Sequence, residues 1–165
     1  MDLIGEFFRH NAMMNQRLLD VCRLLSPEQL ETTAIGTYGT IRATLVHIAN
    51  AQEGYAARFL GEERPERLEE DPFPGFEVLT ERMQRGDQRL AEASRRADSD
   101  HQVQVTGDDP PGTWTMPAPL YFLQAINHGT EHRSQIATIL TLLGVEPPEM
   151  DGWTYFVDGG LLTPV

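Results

Sequence analysis

The sequence predicts an all-α domain, a four-helix bundle with a small β-hairpin between its third and fourth helices. Three observations favour this fold class. Four segments of about 20 residues carry apolar side chains at helical spacing, and proline or glycine separates them. One short segment alternates polar and apolar residues, as a strand does. With 40% hydrophobic residues, the 165-residue chain suits one domain that spans residues 1–165.

The first two helices are predicted from apolar stripes and from residues typical of helix ends. The first runs from about Leu3 to Leu25, after which "SPEQ" starts a new turn. Its stripe consists of Leu3, Phe7, Met14, Leu18, Val21 and Leu25. The second helix begins after Thr40, which is suited to be its N-cap, and runs to Leu60. Gly61 is expected to end it.

The third helix is expected at about residues 76–97, and the β-hairpin follows it. "HQVQVT" alternates in polarity, and "GDDPPG" returns the chain into "TWTM". Pro117 and Pro119 stand where the fourth helix begins, a position at which proline's missing N–H costs little. After that helix, "VEPPEMDGW" breaks the pattern. A short terminal turn or helix is then expected around Trp153, Tyr155 and Phe156.

The fourth helix, residues 121–144, places two histidines on its apolar side. At about 100° per residue, one arc contains Tyr121, Ala125, His128, His132, Ile136, Ile139 and Leu143. An imidazole buried without a partner costs a few kcal/mol, so the interior must supply a hydrogen-bond partner or a cation. Histidines one turn apart can bind the same ion. From these two residues alone, a metal site and a hydrogen-bonded pair in the core are equally supported interpretations.

A metal ion needs at least a third protein ligand, and it must come from another helix. His47 lies in the second helix beside the small residues Thr44, Ala51 and Gly54. Periodicity places it at the edge of the buried face, which favours a boundary histidine. His10 is a weaker candidate, and His101 opens the hairpin and is expected to be exposed.

Four further polar residues lie within or beside the apolar arcs of the helices, so their bonding partners also need to be considered. Glu131 and Gln135 flank the histidine pair, where either could orient an imidazole or take a proton. Glu131 could equally be a solvated charge. Asn11 and Asn15 fall within the apolar arc of the first helix, and their amides need partners there. Interhelical hydrogen bonding is the preferred interpretation for both.

Charge and cysteine content narrow the classes of function. The net charge is −12, with 25 acidic and 13 basic residues, which disfavours nucleic-acid binding. In the third helix, arginines alternate with acidic residues that include Asp87, which predicts a solvated face. The start of the chain lacks the pattern of a signal peptide, and no apolar run reaches membrane-spanning length. The single cysteine, Cys22, fits a reducing compartment, so we expect a cytoplasmic protein without a membrane partner.

The segments "LVHIANAQ" and "NHGTEHRSQIATILTLLGVEPP" resemble the DinB/YfiT-like metalloenzyme family, the DinB superfamily. With "NQRLLD" and "IRATLVHIA", the resemblance covers nearly the whole chain. It implies a bundle with an up-down-down-up course, a homodimer, and a divalent ion held by three histidines. The ligands would be His47, His128 and His132. Zinc or nickel is the preferred ion, with iron or copper as alternatives, because imidazole binds all four.

The resemblance also implies a chemistry. Three imidazoles leave a coordination position open, as catalytic metal sites do. Related members transfer small thiols such as bacillithiol or mycothiol to electrophiles, or isomerise maleylpyruvate with a thiol. The leading hypothesis is therefore a metal-dependent thiol S-transferase or hydrolase that activates a thiol or water, assisted by Glu131 and Gln135. The alternatives are a non-catalytic metal sensor or buffer, and a bundle whose histidines are purely structural.

Overall fold

The computed structural model describes residues 3–98, 100–108 and 111–163, and this part of the chain is mostly helical. Its helices are α1 (Leu3–Cys22), α2 (Pro27–Leu30), α3 (Ile41–Leu60), α4 (Phe76–Arg96), α5 (Ala118–Leu142) and α6 (Gly152–Asp158). Strand β1 (Gln102–Asp108) pairs antiparallel with β2 (Pro111–Pro117). The hairpin expected before the last long helix is thus confirmed. Residues 109–110 of its predicted turn lie outside the described residues.

Side-chain caps set the helix ends that the sequence indicates. The Ser26 side chain accepts from the Gln29 N–H, and the Gln29 side chain accepts from the Ser26 N–H. This capping box starts α2 at "SPEQ". The Thr40 hydroxyl accepts from the Ala43 N–H at the start of α3. Gly61 ends α3 with a left-handed φ of 68°, which only glycine adopts without strain.

Helix α1 buries a face that overlaps only in part with the predicted stripe, at Met14 and Leu18. Leu3 and Phe7 are exposed, and residues 23–25 lie beyond the end of the helix. The residues that α1 does bury are Gly5, Phe8, Asn11, Met14, Asn15, Leu18, Leu19 and Cys22. Because two asparagines occupy this arc, counting apolar residues alone selects Phe7 in place of the buried Phe8.

The four long helices pack through two apolar clusters. One contains Leu18, Leu45, Leu79 and Ile136 among its members, and the other contains Phe8, Ala56, Leu90 and Phe122. Helices α1 and α3 each pack against both α4 and α5. Cys22 is buried in the first cluster, and burial raises the pKa of its thiol to about 12, so it is not a nucleophile. None of the helices in the described ranges combines the length and apolar character needed to cross a bilayer.

A buried polar network joins all four long helices. Asp87 of α4 is 6% exposed, and Arg133 of α5 is 3% exposed. Asn11 and Asn15 of α1 donate to Asp87 through Nδ2, and their Oδ1 atoms accept from Arg133 Nη1 at 2.7 and 2.8 Å. Gln52 of α3 donates to Asp87 at 2.6 Å. The predicted interhelical role of the asparagines is confirmed, and the prediction that Asp87 lies on a solvated face is wrong.

The arginine-rich side of α4 is also partly an interhelical contact. Glu53 of α3 is only 2% exposed and forms an ion pair with Arg82, with 2.7 Å between Arg82 Nε and Glu53 Oε2. Arg85 also pairs with Glu53, with 2.8 Å between Arg85 Nε and Glu53 Oε1. Alternation of charges along α4 therefore reflects an acidic partner on α3 as well as exposure to solvent.

The pKa of Asp87 generates a prediction about stability. Burial raises this pKa from its ordinary value of 3.8 to about 6, although three amide donors and the Arg133 charge act in the opposite direction. The carboxyl group therefore binds its proton more tightly in the folded than in the unfolded chain. Its contribution to the free energy of unfolding is largest below its unfolded pKa and falls as the pH rises through about 6.

We expect Asp87→Asn to remove this pH-dependent contribution. The amide that replaces the carboxyl group does not titrate between pH 4 and pH 7, so only the wild type loses stability as the pH rises. The stability difference between wild type and variant should shrink by up to about 3 kcal/mol between pH 4 and pH 7. Urea denaturation of both proteins across this range measures it, with Asp20→Asn on the exposed side of α1 as the control. A difference that stays constant with pH would contradict the assignment.

Candidate metal centre

Three histidine side chains from two helices converge at one place. His47 comes from α3, and His128 and His132 come from α5. One ring nitrogen from each lies within 4.8 Å of those of the other two. His132 is 7% exposed, whereas the other two rings are half-buried. The chain therefore brings together the three histidines that the family resemblance selects, and His47 sits at the edge of the buried face as periodicity predicts.

The spacing of these nitrogens suits a divalent ion. His47 Nε2 and His128 Nε2 lie 2.9 Å apart. Two nitrogens bound ~2.1 Å from one ion at a tetrahedral angle would be about 3.4 Å apart, so small side-chain rotations accommodate an ion. Burial, followed by the charge of His132, lowers the pKa of both His47 and His128 to about 4. Both rings are therefore neutral at pH 7 and offer lone pairs to a cation.

Gln135 sets the orientation of the third ring. His132 Nδ1 lies 3.0 Å from Gln135 Oε1, which can only accept, so Nδ1 carries the proton and Nε2 keeps a free lone pair. The same oxygen accepts from the Tyr38 N–H at 3.0 Å. Gln135 Nε2 lies 3.5 Å from an oxygen of Glu131, which is exposed on α5. This chain of contacts links the ligand ring to a carboxylate at the surface.

Two tyrosines that sequence reasoning did not assign to the site border the histidines. Tyr38 stacks on His47 with ring centroids 4.1 Å apart and meets His132 edge-on at 5.3 Å. Tyr55 meets His128 edge-on at 5.7 Å. Tyr38 lies in the loop before α3, where no periodicity reports the direction of a side chain. Tyr55 recurs in the sequence at helical spacing with Ile48 and Phe59, a pattern that indicates only burial.

The remaining histidines lie away from this cluster. The ring of His10 packs edge-on against Tyr155, at a centroid distance of 5.6 Å. His101 stacks on Phe59 with centroids 4.6 Å apart and is half-buried. The expectation that His101 is exposed is therefore wrong, because the hairpin folds back onto the end of α3 and covers one face of the ring.

A cavity of about 180 Å³ lies along α3, and Tyr55 in its wall also contacts the ring of His128. Its lining includes Ala51 and Gly54, two of the small residues that the sequence places beside His47. A larger cavity of about 350 Å³ lies between α1 and α4, and none of the three histidines lines either cavity. The smaller one has a wall residue, Tyr55, in contact with a histidine of the cluster.

The fold and the cluster define a mostly helical protein whose three-histidine group could hold a metal ion. The DinB family model matches residues 1–157, so the chain belongs to the DinB family. The crystal structure of a DinB-like protein from Bacillus cereus ATCC 10987, at 2.01 Å resolution, is similar with a TM-score of 0.68. That match has 18% sequence identity and covers 88% of this chain and 94% of the other, so it supports the fold alone. No curated protein matches the chain.

The contact between Gln135 and His132 generates a second prediction. Gln135→Leu should weaken zinc or nickel binding by about 10- to 100-fold, because His132 loses the acceptor that fixes its tautomer and ring orientation. Isothermal titration calorimetry on metal-free protein measures the affinity and the stoichiometry. Ser134→Ala is a matched control, since the Ser134 hydroxyl is exposed and bonds only to a carbonyl of its own helix. Equal affinities for Gln135→Leu and wild type would show that Gln135 does not position the ring.

Proposed function

We propose that this protein is a metal-dependent enzyme in which His47, His128 and His132 hold a divalent ion. The observation that carries the proposal is the convergence of three ring nitrogens within 4.8 Å. Three imidazoles leave at least one coordination position for a substrate, as catalytic sites do. Zinc or nickel is the proposed ion, with iron or copper as alternatives, since the donor set suits each of them.

The proposed reaction is attack of a thiol or water on an electrophile, of the thiol S-transferase or hydrolase type. A divalent ion supplies Lewis acidity that lowers the pKa of a thiol or a water molecule. Side chains around the ion would position the ligands, accept the proton and exclude water. Gln135 is a positioning residue for His132, and Glu131 stands at the surface beside it to accept the proton of the nucleophile. Tyr38 covers one face of His47 and excludes water from that side.

A non-catalytic metal sensor or buffer is the second candidate. It is favoured by the hydrogen bond between His47 Nε2 and His128 Nε2 and by the bond between His132 and Gln135. These bonds satisfy the rings without an ion, so ion binding could shift stability or partner choice without turnover. A screen of thiols with electrophiles separates this candidate from the enzyme. Elemental analysis of the purified protein separates both from a purely structural bundle.

We also propose that the long helices form the four-helix bundle of the family, with its up-down-down-up course. Along α1 and α4, and along α3 and α5, contacting residues run in opposite order. Supporting pairs are Asn11–Asp87 and Gln16–Gln84 for α1 and α4, and His47–His128 and Tyr55–Tyr121 for α3 and α5. Helix α1 packs against α4 and α5, and α3 packs against the same two helices, which fits a bundle of four.

The protein is proposed to act in the cytoplasm as a homodimer on small molecules, without a nucleic-acid or membrane partner. Its net charge of −12 opposes contact with polyanions. Light scattering at micromolar concentration should give about twice the chain mass of 18.6 kDa. A mass of one chain under those conditions would remove the dimer from the proposal.

The histidine variants test the metal mechanism directly. His128→Ala and His132→Ala should each abolish stoichiometric metal binding and thiol transfer, because neither leaves three ligands. Both should stay folded by circular dichroism, since the change removes one partly polar side chain and costs a few kcal/mol at most. Full activity of either variant with a competent thiol and electrophile would show that the metal mechanism is wrong.

Glu131→Gln serves as the matched variant at the same site. It should keep full metal occupancy, because Glu131 is not a proposed ligand, while the rate falls about 10²-fold if this carboxylate moves the proton. An unchanged rate would leave Glu131 as a solvated charge on α5.

A further inference from the structure

The cavity of about 180 Å³ beside the histidines has a position suited to a substrate group. Ala51 in its wall follows His47 by one helical turn, so both lie on the same side of α3. Tyr55, also in its wall, contacts the ring of His128. A ligand in the cavity would therefore lie on the side of α3 that carries His47, one to three helical turns further along the helix.

Two arginines, Arg58 and Arg64, line this cavity without an acidic partner. Within the described residues, eight other arginines form ion pairs with carboxylates, and these two do not. The neighbouring Glu62 pairs with Arg89 of α4. Two guanidinium groups without a carboxylate partner thus line the cavity, in a chain whose net charge is −12.

Arg64 is held in place by the chain around it. Its guanidinium lies against Gly54, where an added Cβ would be 3.0 Å from Nη2. Nη2 lies 3.4 Å from the Asn50 carbonyl oxygen, to which it donates. The Asn50 side chain in turn donates to the Leu68 carbonyl at 2.9 Å and accepts from the Leu68 N–H at 2.8 Å. The loop that carries Arg64 is therefore anchored on α3, and the missing side chain at Gly54 makes room for the guanidinium.

Arg58 and Tyr55 are fixed from the opposite side by α5. The Tyr121 hydroxyl donates to the Tyr55 carbonyl oxygen at 2.9 Å, and the positive charge of Arg58 acts on that hydroxyl. Gln124 of α5 donates to the Tyr55 hydroxyl at 3.4 Å. The cavity is thus bounded by residues of α3 and of the loop after it, and hydrogen bonds from α5 hold Tyr55 in its wall.

We propose that this cavity is an oxyanion subsite of the metal centre, in which Arg58 and Arg64 bind a carboxylate or phosphate group of the substrate. Guanidinium groups bind such oxyanions through paired N–H donors, and the interaction is stronger than one between neutral groups. The inference rests on the proposed function, because a substrate subsite has a role only in an enzyme. It narrows the class of substrate that this enzyme accepts. The substrate is a small molecule that carries a carboxylate or phosphate group apart from its reactive atom.

The first test uses metal-free protein and simple anions. Succinate and inorganic phosphate are titrated at low ionic strength into wild type, Arg58→Gln, Arg64→Gln and the control Arg95→Gln, with binding followed by calorimetry. Arg95 is exposed in the last turn of α4 and does not line the cavity. We expect saturable binding that either cavity variant weakens about tenfold or more and the control leaves unchanged. The tighter of the two anions identifies the oxyanion, and equal binding to wild type and both cavity variants would overturn the proposal.

The second test separates the subsite from the metal chemistry. Zinc-loaded wild type should bind mercaptosuccinate about tenfold more tightly than 2-mercaptoethanol, and Arg58→Gln and Arg64→Gln should lose that preference while keeping their zinc. No preference in wild-type protein that retains its zinc would overturn the subsite and leave the metal centre standing. Anion binding that persists in a His128→Ala protein unable to hold zinc would support the subsite even where the enzymatic proposal had failed.

Discussion

The buried charges of Asp87 and Arg133, joined through the amides of Asn11 and Asn15, form the constraint on which the placement of the histidines depends. Each asparagine meets the carboxylate with its nitrogen and the guanidinium with its oxygen. Removing either charge would leave the other uncompensated in the interior, at a cost of several kcal/mol. A shift of one helix along another would break several of these bonds at once. Because Arg133 directly follows His132, the register that satisfies the guanidinium also sets the rotation of α5 toward α3.

Small residues make this arrangement possible, and the apolar clusters make it stable. A Cβ at Gly129 would lie 2.9 Å from Asn11 Oδ1 and 3.0 Å from Arg133 Nη1, so α5 approaches α1 closely only because the side chain is missing. Gly86 does the same between α4 and α3, where a Cβ would lie 3.0 Å from Gln52 Cβ. The apolar clusters contribute area-dependent stabilisation that tolerates sliding, whereas the polar network selects one register.

Residue spacing within single segments predicted the structural features that depend on residues close together in the chain. Helix positions, the Thr40 cap, the hairpin and the apolar arc that holds His128 and His132 follow from spacing within one segment. What spacing cannot report is the partner on another helix. Phe8 is buried in place of Phe7 and Asp87 lies in the interior because of contacts made between helices. For the same reason, periodicity gave His47 only an edge position, and its place in the ligand set came from the resemblance.

The electrostatics of the site differ from those of the chain as a whole. A net charge of −12 acts on large polyanions at many points at once, but salt screens each distant carboxylate beyond about 8–10 Å. A small anion in the cavity along α3 would instead meet the charges that line it, which are Arg58 of α3 and Arg64 of the loop that follows. The acidic composition thus argues against nucleic acid without arguing against a small anionic substrate. Total charge decides whether nucleic acid binds, whereas the contacts of Arg58 and Arg64 bear on whether a small anion binds.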